Sequence, residues 1–247
     1  MLFAEWDERR CPQAYALTKG LLALVFLVLV EAGLTWKAGH WKVPDRHDPW
    51  APLSIPETPG WLTGWKLMRL GQAPGLCRQV LSAANWQVQP VPDRQTGDGC
   101  GLVNAVRVER MQSQIGQPFT LTCPAAVSLA LWEQHVVSPA ALRHFGRPVN
   151  RLEHFGSYAC RNLYGRETGT RSRHATANAF DVAGFVLDGG HRITVARDWG
   201  TAAPEALFLR DLHEGACRWF DVVLGPEYNA AHRDHLHLHR GAQRLCR

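Results

Sequence analysis

Residues 21–30 are an unbroken apolar run from Leu21 to Val30, and this run divides the chain. With Gly20 before it and residues 32–36 after it, the segment approaches the roughly 17–25 residues needed to cross a bilayer. Glu31 interrupts it near the far end, where a charge reaches the interface. Arg9, Arg10 and Lys19 precede the run, while Lys37 and Lys42 follow it, so the positive charge favours a cytoplasmic N-terminus only weakly. Two readings stay open: an uncleaved anchor, or a signal peptide cut after Ala32. The long polar lead, without a compact basic region, favours the anchor. Lack of polar periodicity argues against a buried core helix. The expected organisation is a cytoplasmic segment 1–19, a transmembrane anchor 20–36, a proline-rich linker 37–60 and one domain over 61–247.

Cysteine placement agrees with export. Cys11 precedes the apolar run, and Cys77, Cys100, Cys123, Cys160, Cys217 and Cys246 follow it. An even set on the far side is what an oxidising periplasm favours. All six are disulfide candidates, and the sequence does not choose among their pairings. Absence of a Cys-x-x-Cys pair argues against a cysteine zinc cluster.

Beyond the linker, periodicity predicts helices over 74–84, 122–135, 139–145 and 205–223, the last ended by Gly225 and Pro226. Strands are expected over 86–91, 102–108, 149–158, 179–187, 192–196 and 235–239. Asp188, Gly189 and Gly190 read as a hairpin turn. The fold class is therefore α+β: a small, mainly antiparallel sheet with helices packed on it, preceded by one N-terminal transmembrane helix.

The chemistry concentrates in two places. His174 and Asp181 lie in one short segment, and His232, His235, His237 and His239 crowd the C-terminal end. Residues 235–239 alternate His and Leu, so on a strand the imidazoles share one face and Leu236 and Leu238 face the core. Two imidazoles and a carboxylate are a zinc ligand set that leaves a position for water. The bland reading is a solvated or anion-binding tail in a chain with twelve histidines. His40, His47, His135, His144 and His213 read as surface or satisfied core residues.

An ordered set of segments resembles the bacterial extensin-like C-terminal domain family. It comprises Ser157 through Tyr158 and Cys160 to Arg161; His174 to Asp181; Ala183 to Phe185; and Phe208 to Arg210. It continues with Ala216 and Cys217, Leu224 to Pro226, Tyr228 and Asn229, and Asp234 to His237. The likeness covers roughly residues 62–247. That family is similar in turn to the D-alanyl-D-alanine metallopeptidase superfamily, with its lysostaphin-type and hedgehog-type domains, whose pattern is Ser-x-His-x-x-Gly-x-Ala-x-Asp. Ser172, His174, Ala179 and Asp181 match it, and Ala177 replaces the glycine. The resemblance implies one Zn2+ held by His174, Asp181 and His237.

For catalysis the resemblance offers two patterns. Carboxypeptidases of the superfamily place a glutamate base where Asp234 stands, one methylene shorter here. Murein endopeptidases show His-x-x-His-x-His, which His232, His235 and His237 match. The second is favoured, with His235 as base or transition-state stabiliser, His232 supporting it and Asp234 orienting an imidazole. His239 has no assigned role. Arg161 and Ser157 are substrate-binding candidates, Arg161 for a carboxylate or polarised carbonyl; a structural ion pair beside Cys160 is its alternative.

What the resemblance implies is a membrane-anchored periplasmic zinc peptidase acting on peptidoglycan stem peptides, as a murein endopeptidase or D,D-carboxypeptidase. The alternative is a non-catalytic wall-binding or envelope-assembly module that keeps the site. The net charge of +5 suits an anionic wall, while nucleic acid, the usual alternative partner of a basic chain, is opposed by export and by the absence of a helix-turn-helix or RNA-binding pattern.

Overall fold

The computed structural model describes residues 12–39 and 43–247. Arg9, Arg10, Cys11, His40 and Lys42 lie outside the described residues. Two compact units divide at Pro44 and Asp45.

The first unit holds helix α1, Pro12–Lys37. Its stretch Ala16–Lys37 is long and apolar enough to cross a membrane, and none of it is buried within the protein. Thr35 returns its hydroxyl to the Glu31 carbonyl at 2.9 Å, which satisfies a polar side chain inside the helix.

The second unit begins with the proline-rich stretch, and much of that stretch is part of the unit. Leu53 and Ile55 are buried in its core. The carbonyls of Asp45 and Pro49 accept from Lys66 Nζ at 2.7 Å and Arg69 Nη1 at 2.8 Å. Helices α2 (Thr63–Arg69) and α3 (Pro74–Ser82) come next. Strands β1 (Gln87–Val91), β2 (Arg94–Gly97), β3 (Cys100–Leu102), β4 (Ala105–Arg110), β5 (Gln114–Ile115) and β6 (Phe119–Thr122) follow. Then come α4 (Cys123–Trp132), a π-helical turn (Glu133–Val137), α5 (Ser138–Phe145) and β7 (Val149–Gly156). The chain closes with β8 (Ala179–Leu187), β9 (Arg192–Thr194), α6 (Val195–Asp198), α7 (Pro204–Ala216), β10 (Val222–Leu224), β11 (Leu236–His239) and β12 (Leu245–Cys246).

The main sheet runs β12-β10-β11-β8-β7-β5, with β9 paired to β8. Its pairings are antiparallel except β10 with β12 and β5 with β7. A three-stranded sheet β1-β4-β6 and the hairpin β2-β3 complete the set. The fold is α+β, as its alternating and helical periods predict.

One face of the main sheet packs into the core. Phe180, Val182, Leu236 and Leu238 are fully buried there, together with Trp132 of α4 and Phe208 and Leu212 of α7. Two expected elements differ. The strand expected over 102–108 is broken, because Asn104 takes a left-handed turn at φ 48° between β3 and β4. The helix expected over 205–223 stops at Ala216, and its apolar tail becomes β10.

Three disulfides form. Cys77–Cys123 joins α3 to the start of α4, Cys100–Cys160 joins β3 to the segment after β7, and Cys217–Cys246 joins the end of α7 to β12. Each closes a loop of tens of residues, and restraint of that kind typically stabilises a domain by about 2–4 kcal/mol.

Candidate metal centre

The register of β8 against β11 builds the site. His237 lies opposite Asp181, and Leu236 and Leu238 oppose Val182 and Phe180. Since alternate residues change face, this pairing puts the imidazole and the carboxylate together on the face away from the core. A slip of one residue in β11 would turn His237 away from Asp181 and toward the buried leucines and phenylalanines.

His174 arrives from a short 3-10 turn, Arg173–Thr176, just before β8. Ser172 caps it by accepting from the His174 backbone N–H. Ala177 ends it in the left-handed region at φ 53°, a conformation that favours glycine.

Three donor atoms converge. His237 Nδ1 is 2.8 Å from Asp181 Oδ1, His174 Nε2 is 3.2 Å from Asp181 Oδ2, and the two imidazole nitrogens are 3.3 Å apart. All three residues are buried. A second triad, His232, His235 and His237, shares His237 with the first. The other grouping of this type among the described residues, His213 with Cys217 and Cys246, has both sulfurs in a disulfide and offers no thiolate.

Each ring is oriented by its far nitrogen. Nδ1–H of His174 donates to the Ser157 carbonyl. His237 Nε2 lies 2.9 Å from His239 Nδ1. His235 Nδ1 donates to Asp234 Oδ1 at 2.8 Å, and its Nε2 stands 3.6 Å from Asp181 Oδ1. His232 Nδ1 donates at 2.8 Å to Asn229 Oδ1, which also accepts from the Ala231 N–H. Such outer contacts fix which nitrogen of each imidazole carries its lone pair toward the centre.

Electrostatics follow from crowding. Burial would raise the Asp181 carboxyl, but hydrogen bonds and charge from His174 and His237 outweigh it and hold the group well below the usual carboxylate range. Burial, with His237 and His235 nearby, pushes His232 down to about 4. Burial, then His237 and Arg173, push His239 down to about 3. His237 is likewise lowered by burial. His232, His237 and His239 are therefore neutral near pH 7, the form that a metal ligand or proton acceptor needs.

The cavity over these residues holds about 430 Å3. Arg161 lines it and has no ion pair among the described residues; its backbone carbonyl accepts from the Ser172 N–H. Ser157 lines a neighbouring cavity instead and reaches the site through its carbonyl. His239 and Asn229 have no role assigned from the sequence. The signals were present, since His239 shares the strand face of His237 and Asn229 stands three residues before His232 in a capping position.

A family model described as extensin-like protein C-terminus matches residues 75–247. The chain belongs to this family. No curated protein and no solved structure matches it.

Proposed function

We propose that this member of the extensin-like family is a zinc peptidase that cuts peptide bonds in peptidoglycan. The observation that carries the reading is the convergence of His174 Nε2, Asp181 and His237 Nδ1, whose donor atoms all lie within 4.8 Å of one another. Bonds of ~2.0–2.1 Å in tetrahedral geometry put donors ~3.3 Å apart, close to the spacings found. A neutral imidazole pair with one carboxylate suits zinc in charge and softness. The likeness of His174 to Asp181, and of His232 to His237, to the metallopeptidase superfamily gives the reading further support.

When bound, zinc supplies Lewis-acid polarisation of a carbonyl and activation of water. The chain supplies the rest. With its proton on Nε2, His237 donates to His239 and keeps the Nδ1 lone pair for the metal. Asp234 holds the proton of His235 on Nδ1, so Nε2 is free to take a proton beside the centre. His232 is held neutral by its surroundings and is pinned by Asn229, so it supports His235 as an acceptor rather than as a cation. Arg161 lines the same cavity, and its proposed role is to bind a carboxylate of the substrate.

The location proposed is the inner membrane, with the N-terminus cytoplasmic and the catalytic unit in the periplasm. The apolar helix α1 and the complete pairing of Cys77, Cys100, Cys123, Cys160, Cys217 and Cys246 support it.

The test is digestion of purified sacculi by the full chain in detergent. Zinc-dependent release of peptide-cleaved muropeptides, abolished in His235→Ala with zinc retained, is the expected result. Binding to sacculi that a chelator leaves unchanged, with nothing released, would replace this reading with a wall-binding module.

A further inference from the structure

The end of β7 has two sides. One reaches the metal candidate through the Ser157 carbonyl. The other lines a larger cavity of about 700 Å3. Phe155 belongs to that larger cavity, and its ring lies 5.7 Å from the ring of His235, which lines the smaller one. Gly156, also in the larger cavity, pairs with Asp181 in the sheet. The two cavities are therefore neighbours across residues 155–157.

Three features mark the larger cavity. Ser157 is 6% exposed, and its hydroxyl is buried without a partner. His154 Nε2 donates to the Gln117 carbonyl at 3.0 Å, which makes Nδ1 the acceptor of the neutral ring, and Nδ1 is also buried without a partner. Burial lowers the His154 pKa and keeps the ring in that form. Polar atoms left this way are costly, and both are closed to solvent.

Charge is the third feature. Arg107, Arg151 and Arg192 line the cavity against one carboxylate, Glu153. Arg192 Nε already contacts both Glu153 oxygens, at 2.8 and 3.1 Å. Arg151 stands 3.6 Å from the same carboxylate, and Arg107 is 3.8 Å from Glu109. Both guanidinium groups keep hydrogen-bonding capacity, and positive charge is in excess.

We propose that this cavity is the subsite for a carboxylate-bearing segment of the peptide substrate, with Arg107 and Arg151 binding the carboxylate. The assignment rests on the peptidase reading for the adjacent centre. Guanidinium is matched to carboxylate by its planar pair of donors.

The experiment is calorimetric titration of the full chain in detergent, with metal removed by chelator, using acetyl-alanyl-glutamate methylamide and its glutamine counterpart. The acidic peptide should bind about tenfold more tightly or better, and Arg151→Gln or Arg107→Gln should erase the preference. Both arginines are about half exposed, so these variants are expected to keep the parent's thermal unfolding, which circular dichroism checks. Equal binding of the two peptides, binding of neither, or a preference that survives both arginine changes would overturn the subsite. Sacculus digestion separates the two claims. Digestion without acidic preference removes the subsite alone, whereas acidic preference without digestion leaves a site for acidic peptides and removes the peptidase.

Discussion

Glu133 and Asp181 are both buried carboxylates, one under the helices and one on the sheet face, and they are satisfied in opposite ways. Glu133 sits at the π-helical turn and accepts from Trp86 Nε1 at 2.9 Å, from Ser113 N and Oγ at 2.9 and 2.6 Å, and from Gln112 N at 3.3 Å. All those donors are fixed and neutral, and burial still raises its pKa. Asp181 meets imidazoles instead, and they carry it the other way. The first arrangement ties β1 and the segment before β5 to the helical layer. The second leaves lone pairs converging on one point. Burial of a charged residue thus does not by itself mark a site; what matters is whether its partners have capacity left over.

Several changes would break or sharpen that contrast. The largest effect is expected from Glu133→Ala, which strands the Trp86 and Ser113 donors and should cost about 3 kcal/mol of stability in urea unfolding. Zinc content should be unchanged. Next is His239→Ala. It removes the partner of His237 Nε2 and should weaken zinc about 10- to 100-fold in chelator competition, with little change in the unfolding of metal-free protein. An unchanged zinc affinity would show that His239 orients nothing.

The pH dependence of Glu133 has a defined sign. Its folded pKa lies above its ordinary value of 4.5, so the stability it contributes is full below that value and declines as pH rises through the raised one. In thermal scans of metal-free protein, Glu133→Gln should therefore gain on the parent as pH rises from 4 to about 7. A parallel pair of curves would mean that the carboxyl is not shifted. The smallest effect is expected at Ala177. Glycine there relieves strain of about 1 kcal/mol in the left-handed region but gives up a buried methyl worth about 0.8 kcal/mol. Ala177→Gly should leave the melting temperature nearly unchanged, and a large loss would show that the methyl dominates.

The same contrast explains what was legible in the sequence. The strand face of His237 and His239 is written in strict alternation with Leu236 and Leu238, and it survives folding because both leucines are fully buried, while His235 stands one residue before the strand. The end of α7 is not written in that way. Trp219, Phe220, Val222, Val223 and Leu224 are all buried, so an apolar run continues from helix into strand without a change of pattern. Gly225 and Pro226, expected to stop a helix, instead follow a strand. Asn104 hid its turn among alternating apolar residues, and Leu53 and Ile55 are lone apolar positions among prolines whose burial depends on distant partners. The network around Glu133 joins residues far apart in the chain, so no local pattern announces it.

The central claim is that Asp181, with His174 and His237, holds zinc. Elemental mass spectrometry of the full chain in detergent, after zinc addition and removal of the excess, tests it directly. The account predicts about one zinc per chain in the parent and in Glu133→Gln, and essentially none in folded Asp181→Asn. A folded parent without zinc, or an Asp181→Asn protein that keeps it, would contradict the account.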